Sequence, residues 1–265
     1  METISVFLLL AVGSTLTSPT DASKESLMYP YGTAQGDTKN PKSDDGTSTK
    51  IITAVPFSFY GKKYSSLYVN NNGVVSFGVN VSQYTPDPFP LDLGSPFVAP
   101  YWGDVDNTRG GDVLWRQTQD SAVLSRCTAD INQYFPEMSF TAVWALVATW
   151  DRVAYFGSAS KKTNTFQAVL TTNNEIAFII LNYVDIQWTT GIASGGHPRT
   201  GLGGTPAQAG FDSGDKKNFY NIPASRTPSV LNITQTTNVQ FTGRWVFQVD
   251  EIVIGDTTEK SKCLE

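Results

Sequence analysis

Histidine and cysteine are nearly absent from this sequence of 265 residues: there is one histidine, His197, and there are two cysteines, Cys127 and Cys263. A structural zinc site of the usual kind takes four Cys or His ligands, so such a site is excluded by supply. A miniature scaffold held by several disulfides is excluded on the same count. Catalysis that relays protons among several histidines is excluded as well. Charge is scarce too, at 16% of residues, with 19 Lys and Arg against 24 Asp and Glu for a net −5. No basic stripe stands out, which argues against nucleic-acid binding by phosphate neutralisation. Long hydrophobic runs are also missing. The longest, residues 140–150 (FTAVWALVATW), meets Asp151 and Arg152 at once. It has about half the ~20 residues of a membrane-spanning helix, so it reads as a core strand.

What the chain has in quantity is aromatic carbon. It holds 15 Phe, 11 Tyr and 6 Trp, and 40% of its residues are hydrophobic. Such a composition can bury a sizeable core and excludes wholesale disorder. Residues 4–12 (ISVFLLLAV) form a short apolar run followed by the small residues Gly13, Ser14 and Thr15. This pattern predicts a signal peptide over 1–18, although Glu2 stands where a basic residue is usual. Two acceptor sequons, Asn80-Val81-Ser82 and Asn232-Ile233-Thr234, fit an exported glycoprotein.

The rest of the chain divides by pattern. Residues 19–50 are polar and read as an extended N-terminal segment anchored by Met28-Tyr29-Pro30-Tyr31. Residues 51–250 carry the β signals without a break in composition, and 251–265 form a polar tail. Two apolar runs flank Asn70-Asn71-Asn72-Gly73, the strongest hairpin signal in the chain, because Asn and Gly tolerate positive φ. Pro86, Pro88, Pro90, Pro96 and Pro100 make the next stretch a loop. Residues 112–117 alternate again. From 120 to 135 the period changes: Val123, Leu124, Cys127, Ile131, Tyr134 and Phe135 share one helical face behind Asp120 as N-cap. Residues 142–150 are apolar on both faces and predict a strand covered on both sides. Residues 165–171 and 175–183 predict a strand pair, 191–210 is a loop with seven glycines, and 244–249 is a closing strand. Many short strands, one amphipathic helix and no βα alternation predict a mainly β, sandwich-like single domain.

Several groups of residues are chemical candidates. Asp104, Asp106, Asn107 and Asp112 surround Gly110-Gly111 and offer hard oxygen ligands for calcium, though their spacing is not that of an EF-hand. The bland alternative is a turn whose carboxylates cap amides or face water. Asp37, Asp44 and Asp45 form a second acidic spot. His197 with Ser194, Ser213 and Asp212 suggests a hydrolase, but Gly210-Phe211-Asp212-Ser213-Gly214 lacks the nucleophile-elbow spacing, and nothing in the sequence places these groups together. Cys127, on the apolar helix face, is expected to be buried. Cys263 is expected to be exposed, and in an oxidising compartment it would pair with Cys127 or with another chain. Tyr84, Phe89 and Tyr101 either contact a protein partner or plug the open end of the sandwich.

The strings at 69–77 (VNNNGVVSF), 97–106 (FVAPYWGDVD) and 164–170 (NTFQAVL) resemble the nidogen-type extracellular (NIDO) domain family. Further strings, at 27–30 (LMYP), 44–46 (DDG), 81–83 (VSQ), 188–191 (WTTG), 193–196 (ASGG), 200–204 (TGLGG), 207–211 (AQAGF) and 225–228 (SRTP), resemble its tectorin-like members. The resemblance covers nearly all of the chain after the leader. It implies a secreted, non-enzymatic module of cell–matrix adhesion, working in the extracellular matrix or at the cell surface and holding a protein or glycan partner. Tectorin-like members continue into cysteine-rich and polymerising modules. This sequence ends at Cys263-Leu264-Glu265, so filament formation by those modules is not carried over. An alternative within reach of the same residues is a calcium-dependent secreted domain that binds a ligand or glycan.

Overall fold

In the computed structural model of the protein, residues 27–92 and 94–251 are described. The predicted signal peptide, Cys263 and nearly all of the C-terminal tail lie outside them. Strand β7 (Trp144–Val153) shows how the layers arise. Alternate side chains point to opposite faces of a strand. Trp144, Leu146, Ala148 and Trp150 enter the core between two sheets, and Ala145 and Val147 enter a second core on the outer side. An apolar run with no polar alternation therefore becomes a strand buried on both faces, as the sequence predicts.

The first sheet has the order β1-β6-β7-β8-β9-β12. Its other strands are β1 (Thr38–Lys39), β6 (Asp112–Thr118), β8 (Asn164–Thr172), β9 (Ala177–Ile186) and β12 (Arg244–Gln248). The second sheet has the order β11-β10-β5-β4-β3-β2. It comprises β2 (Ile51–Phe59), β3 (Lys62–Asn70), β4 (Val74–Phe77), β5 (Phe97–Trp102), β10 (Gln208–Asp212) and β11 (Phe219–Asn221). Neighbours in both sheets run antiparallel. Their inner faces meet in an aromatic core: Phe57 stacks on Phe77 at 5.6 Å, and Trp150 on Phe166 at 5.0 Å. The fold is thus the mainly β sandwich the sequence predicts.

Helix α1 (Ser121–Tyr134) roofs the outer face of the first sheet. Asp120 caps it, its side chain accepting from the Ala122 and Val123 amides. Cys127, Ile131 and Tyr134 are buried, and Val123, Leu124 and Phe135 pack around them. Pro136 opens a short 3-10 turn where the helix stops. The N-terminal segment lies along the same roof. Tyr29 exchanges two hydrogen bonds between its backbone and Gln167, and its hydroxyl donates to Asp130 at 2.7 Å. The guanidinium of Arg244, almost wholly buried, donates to Asn182, pairs with Asp130 at 3.0 Å and donates to the Leu27 carbonyl at 2.6 Å.

Four strands were not legible in the sequence. The prolines assign residues up to Pro100 to a loop, yet residues 97–102 form β5 in the middle of the second sheet. Pro100 falls at the register shift against β10 and beyond the β4 pairs Val75–Val98 and Ser76–Phe97, so its missing amide interrupts no paired position. Strand β11 lies in a stretch with no strand pattern of its own. Residues 191–210 read as loop throughout, yet β10 begins at Gln208. Its sequence, QAGFD, has no β-branched residue, which is why propensity passes over it. Strand β1 lies in the segment read as extended entry, where two residues pair with Trp115 and Leu114.

Candidate functional site

The turn between β3 and β4 organises one end of the sandwich. Gly73 has φ +80°, and a side chain there would collide with the Tyr101 carbonyl, so only glycine closes the turn so near β5. The three asparagines before it are almost fully buried. The sequence marks them as turn formers, and the structure gives them a second use. Asn70 donates to the Val74 carbonyl and Ser76 Oγ and accepts from the Val81 amide. Asn71 donates to the Ser43 carbonyl at 2.8 Å and accepts from Asn40 at 2.9 Å. Asn72 donates to Asp45 Oδ1 at 2.7 Å and accepts from the Val105 amide at 2.9 Å. Three successive side chains thus fix loops around 79–82, 40–46 and 104–107. A buried amide has four hydrogen-bonding sites to satisfy, which makes these residues demanding to place and specific once placed.

These loops redistribute the acidic residues. Asp112 stands apart from Asp104, with Lys39 and Lys42 each 2.8 Å from its carboxylate. Those two lysines hold the Asp112 carboxyl below the usual range. Asp106 accepts from the Thr108 amide and hydroxyl and from Arg109 Nε. Asn107 Oδ1 accepts from the Ser43 amide at 2.9 Å. Asp37 pairs with Arg116. Of the two predicted acidic groups, then, Asp112, Asp106, Asn107 and Asp37 have protein partners. The predicted quartet does not come together as one ligand set. What comes together is Asp104 from one group with Asp44 and Asp45 from the other, one oxygen of each lying within 4.8 Å of the others.

Asp104 is the unusual member. It is 2% exposed, and its Oδ2 has no hydrogen-bond partner. Burial first, and then the nearby Asp44, Asp45 and Asp106 carboxylates, push its carboxyl up to about 7. Burial and Asp45 also raise Asp44. Gly191, with an ordinary φ of −78°, lies so close that a Cβ would sit 2.3 Å from Asp104 Oδ2. Its glycine is needed for approach rather than for backbone freedom.

The remaining candidates scatter. His197 is exposed, and its Nδ1 accepts from the Arg199 amide at 3.2 Å. Ser194 Oγ pairs with Thr85 Oγ1 at 2.6 Å, and Asp212 accepts from the Leu91 and Gly214 amides. Cys127 is buried, has no disulfide partner among the described residues, and burial pushes its thiol up to about 11. Its pairing with Cys263 falls outside the described residues. Asn80 and Asn232 are both exposed. Of the loop aromatics, Tyr84 is exposed at 39%. Phe89 is instead buried against Phe97 and Trp102, and Tyr101 is buried with its hydroxyl donating to the Trp188 carbonyl. Phe89 is structural because the proline loop folds back over β4 and β5, and Tyr101 because it belongs to β5 and enters the core between the sheets. Among the described residues no helix is long and apolar enough to cross a membrane.

Residues 65–251 match the family described as nidogen-like domain, and the chain belongs to that family. It is 52% identical to human alpha-tectorin over 231 residues, which is 86% of this chain and 11% of that protein. It is 32% identical to nidogen of Drosophila melanogaster over 218 residues, 80% of this chain and 16% of that protein. With mouse nidogen-1 the identity is 30% over 251 residues, 88% of this chain and 20% of that protein. The chain thus spans between about a tenth and a fifth of these curated relatives. No solved structure matches it. Alpha-tectorin and the nidogens are secreted extracellular-matrix proteins. The resemblance read from the motifs holds, and the domain is an extracellular one.

Proposed function

We propose that this domain is a non-catalytic adhesion module that holds a matrix or cell-surface partner, protein or glycan, through its loops. Its membership of the nidogen-like family, shared with alpha-tectorin and the nidogens, carries the reading. The distribution of exposed apolar side chains supports it. Val79, Tyr84 and Ile192 are three of the exposed large hydrophobics, and their loops are joined by the Thr85–Ser194 hydrogen bond. An exposed aromatic on a hydrogen-bonded loop pair is the kind of anchor where binding energy concentrates.

The test is binding of the secreted domain to immobilised decellularised matrix, followed by optical interferometry. Saturable binding is expected. Tyr84→Ala should weaken it by roughly 30-fold or more, the loss typical of a hot-spot residue. Binding no greater than to an albumin surface would overturn the reading, as would a Tyr84→Ala variant that binds unchanged together with a Val79→Ser/Ile192→Ser double variant that also does.

A further inference from the structure

We infer that Asp44, Asp45 and Asp104 form a calcium site at the loop end of the sandwich. Three observations lead there. The first is geometric. Oxygens that share a calcium ion at about 2.4 Å can lie at most about 4.8 Å apart, and one oxygen from each of these carboxylates meets that limit with the others. Magnesium demands a near-ideal octahedral shell at about 2.1 Å, whereas calcium accepts the irregular, partly hydrated shell that three carboxylates and an open side offer.

The second observation concerns hydrogen bonding, not spacing. Asp104 is 2% exposed and its Oδ2 is without a partner. A buried carboxylate oxygen with nothing to accept from is costly, and such groups are normally paired or bound to a metal. A cation supplies the missing partner directly.

The third is the commitment of the surrounding cations. Lys39 and Lys42 pair with Asp112, Arg109 with Asp106 and Arg116 with Asp37. Among the described residues, Asp44, Asp45 and Asp104 make no ion pair. Three carboxylates are thus held together while these four basic groups form their ion pairs with other carboxylates, Arg109 reaching Asp44 only through its field. Asn72 holds two sides of the site, donating to Asp45 and accepting from the amide that follows Asp104. Asp44 is exposed and Asp45 half-buried, which leaves an open side for the ion and for the waters that complete its six to eight ligands.

This site differs from the quartet that the sequence suggested, because Asp112 and Asp106 are already paired. It stands apart from the proposed adhesion, so a failure here leaves that reading untouched. A site with three carboxylates and an open face should bind with a dissociation constant on the order of 10⁻⁴–10⁻³ M, the range of extracellular modules. The experiment uses the purified secreted protein, stripped with EDTA and titrated with calcium chloride by calorimetry and thermal melting. Wild type is expected to gain roughly 3–10 °C in Tm at 10 mM calcium. Asp104→Asn should lose that gain yet melt no lower than wild type in EDTA, because it removes a buried negative charge set among the Asp44, Asp45 and Asp106 carboxylates. Asp44→Asn, at an exposed position, should fold normally and weaken calcium binding at least 10-fold. Asp112→Asn should keep the full response. An absence of calcium binding up to 10 mM, or an Asp44→Asn variant that binds as tightly as wild type, would overturn the inference.

Discussion

The outer face of one sheet is roofed by a helix and an anchored segment, and that of the other by a proline-rich loop. The helical roof packs Cys127, Ile131, Tyr134 and Phe140 on Ala145, Val147, Val169, Phe178 and Ile180. The loop roof sets Phe89 and Leu91 on Val74, Phe97, Ala99 and Trp102. It covers only the middle of its sheet. At the edge, β2 leaves Ile52 62% exposed. A helix presents its apolar side chains at a fixed 3.6-residue spacing, so a change beneath it cannot be absorbed by one residue moving alone. A loop can shift locally. The two roofs should therefore differ in how they respond to loss of the same side chain.

Matched substitutions break or sharpen that contrast. Phe178 lies between Phe135 at 5.1 Å and Phe140 at 5.2 Å. Phe178→Ala should cost about 3–5 kcal/mol by urea denaturation, whereas Phe89→Ala, able to relax, should cost about 2 kcal/mol. Equal losses would erase the distinction between the roofs. Next in size is Asp120→Ala, which removes both cap hydrogen bonds of α1 and should lower stability by about 1 kcal/mol, with no effect on the loop-roofed sheet's amide exchange. Smallest is Ile52→Ser on the unroofed edge, expected to stay within about 0.5 kcal/mol of wild type in the same denaturation series. A larger change there would mean that the edge is covered in solution.

The same contrast explains how much could be read in advance. The helical roof was legible because Val123, Leu124, Cys127, Ile131 and Tyr134 repeat with a helical period, and because β7 carries no polar alternation beneath it. The loop roof was not. Phe89 stands among prolines without any period, so the sequence left partner contact and a plug of the sandwich both open, and the structure has packing. The β3–β4 turn was found from Asn70-Asn71-Asn72-Gly73, but local pattern gave no sign that its side chains are buried and tie three distant loops. The candidate site was half legible for the same reason. Both acidic groups were visible as clusters along the chain. Which of their members meet depends on Asn72 reaching Asp45 and Val105, contacts between residues far apart in sequence. Asp112 was grouped with Asp104 by proximity along the chain, and β1 with the residues after it brings lysines to it instead.

Arg244 carries a mechanical consequence. Its guanidinium, set in the closing strand β12, grips the Leu27 carbonyl and Asp130 together. The point where the described chain enters the fold is thereby latched to the strand on which it is completed. Tension applied through the two flanking stretches would load this latch together with the β12–β9 ladder before it reached β7 or β8.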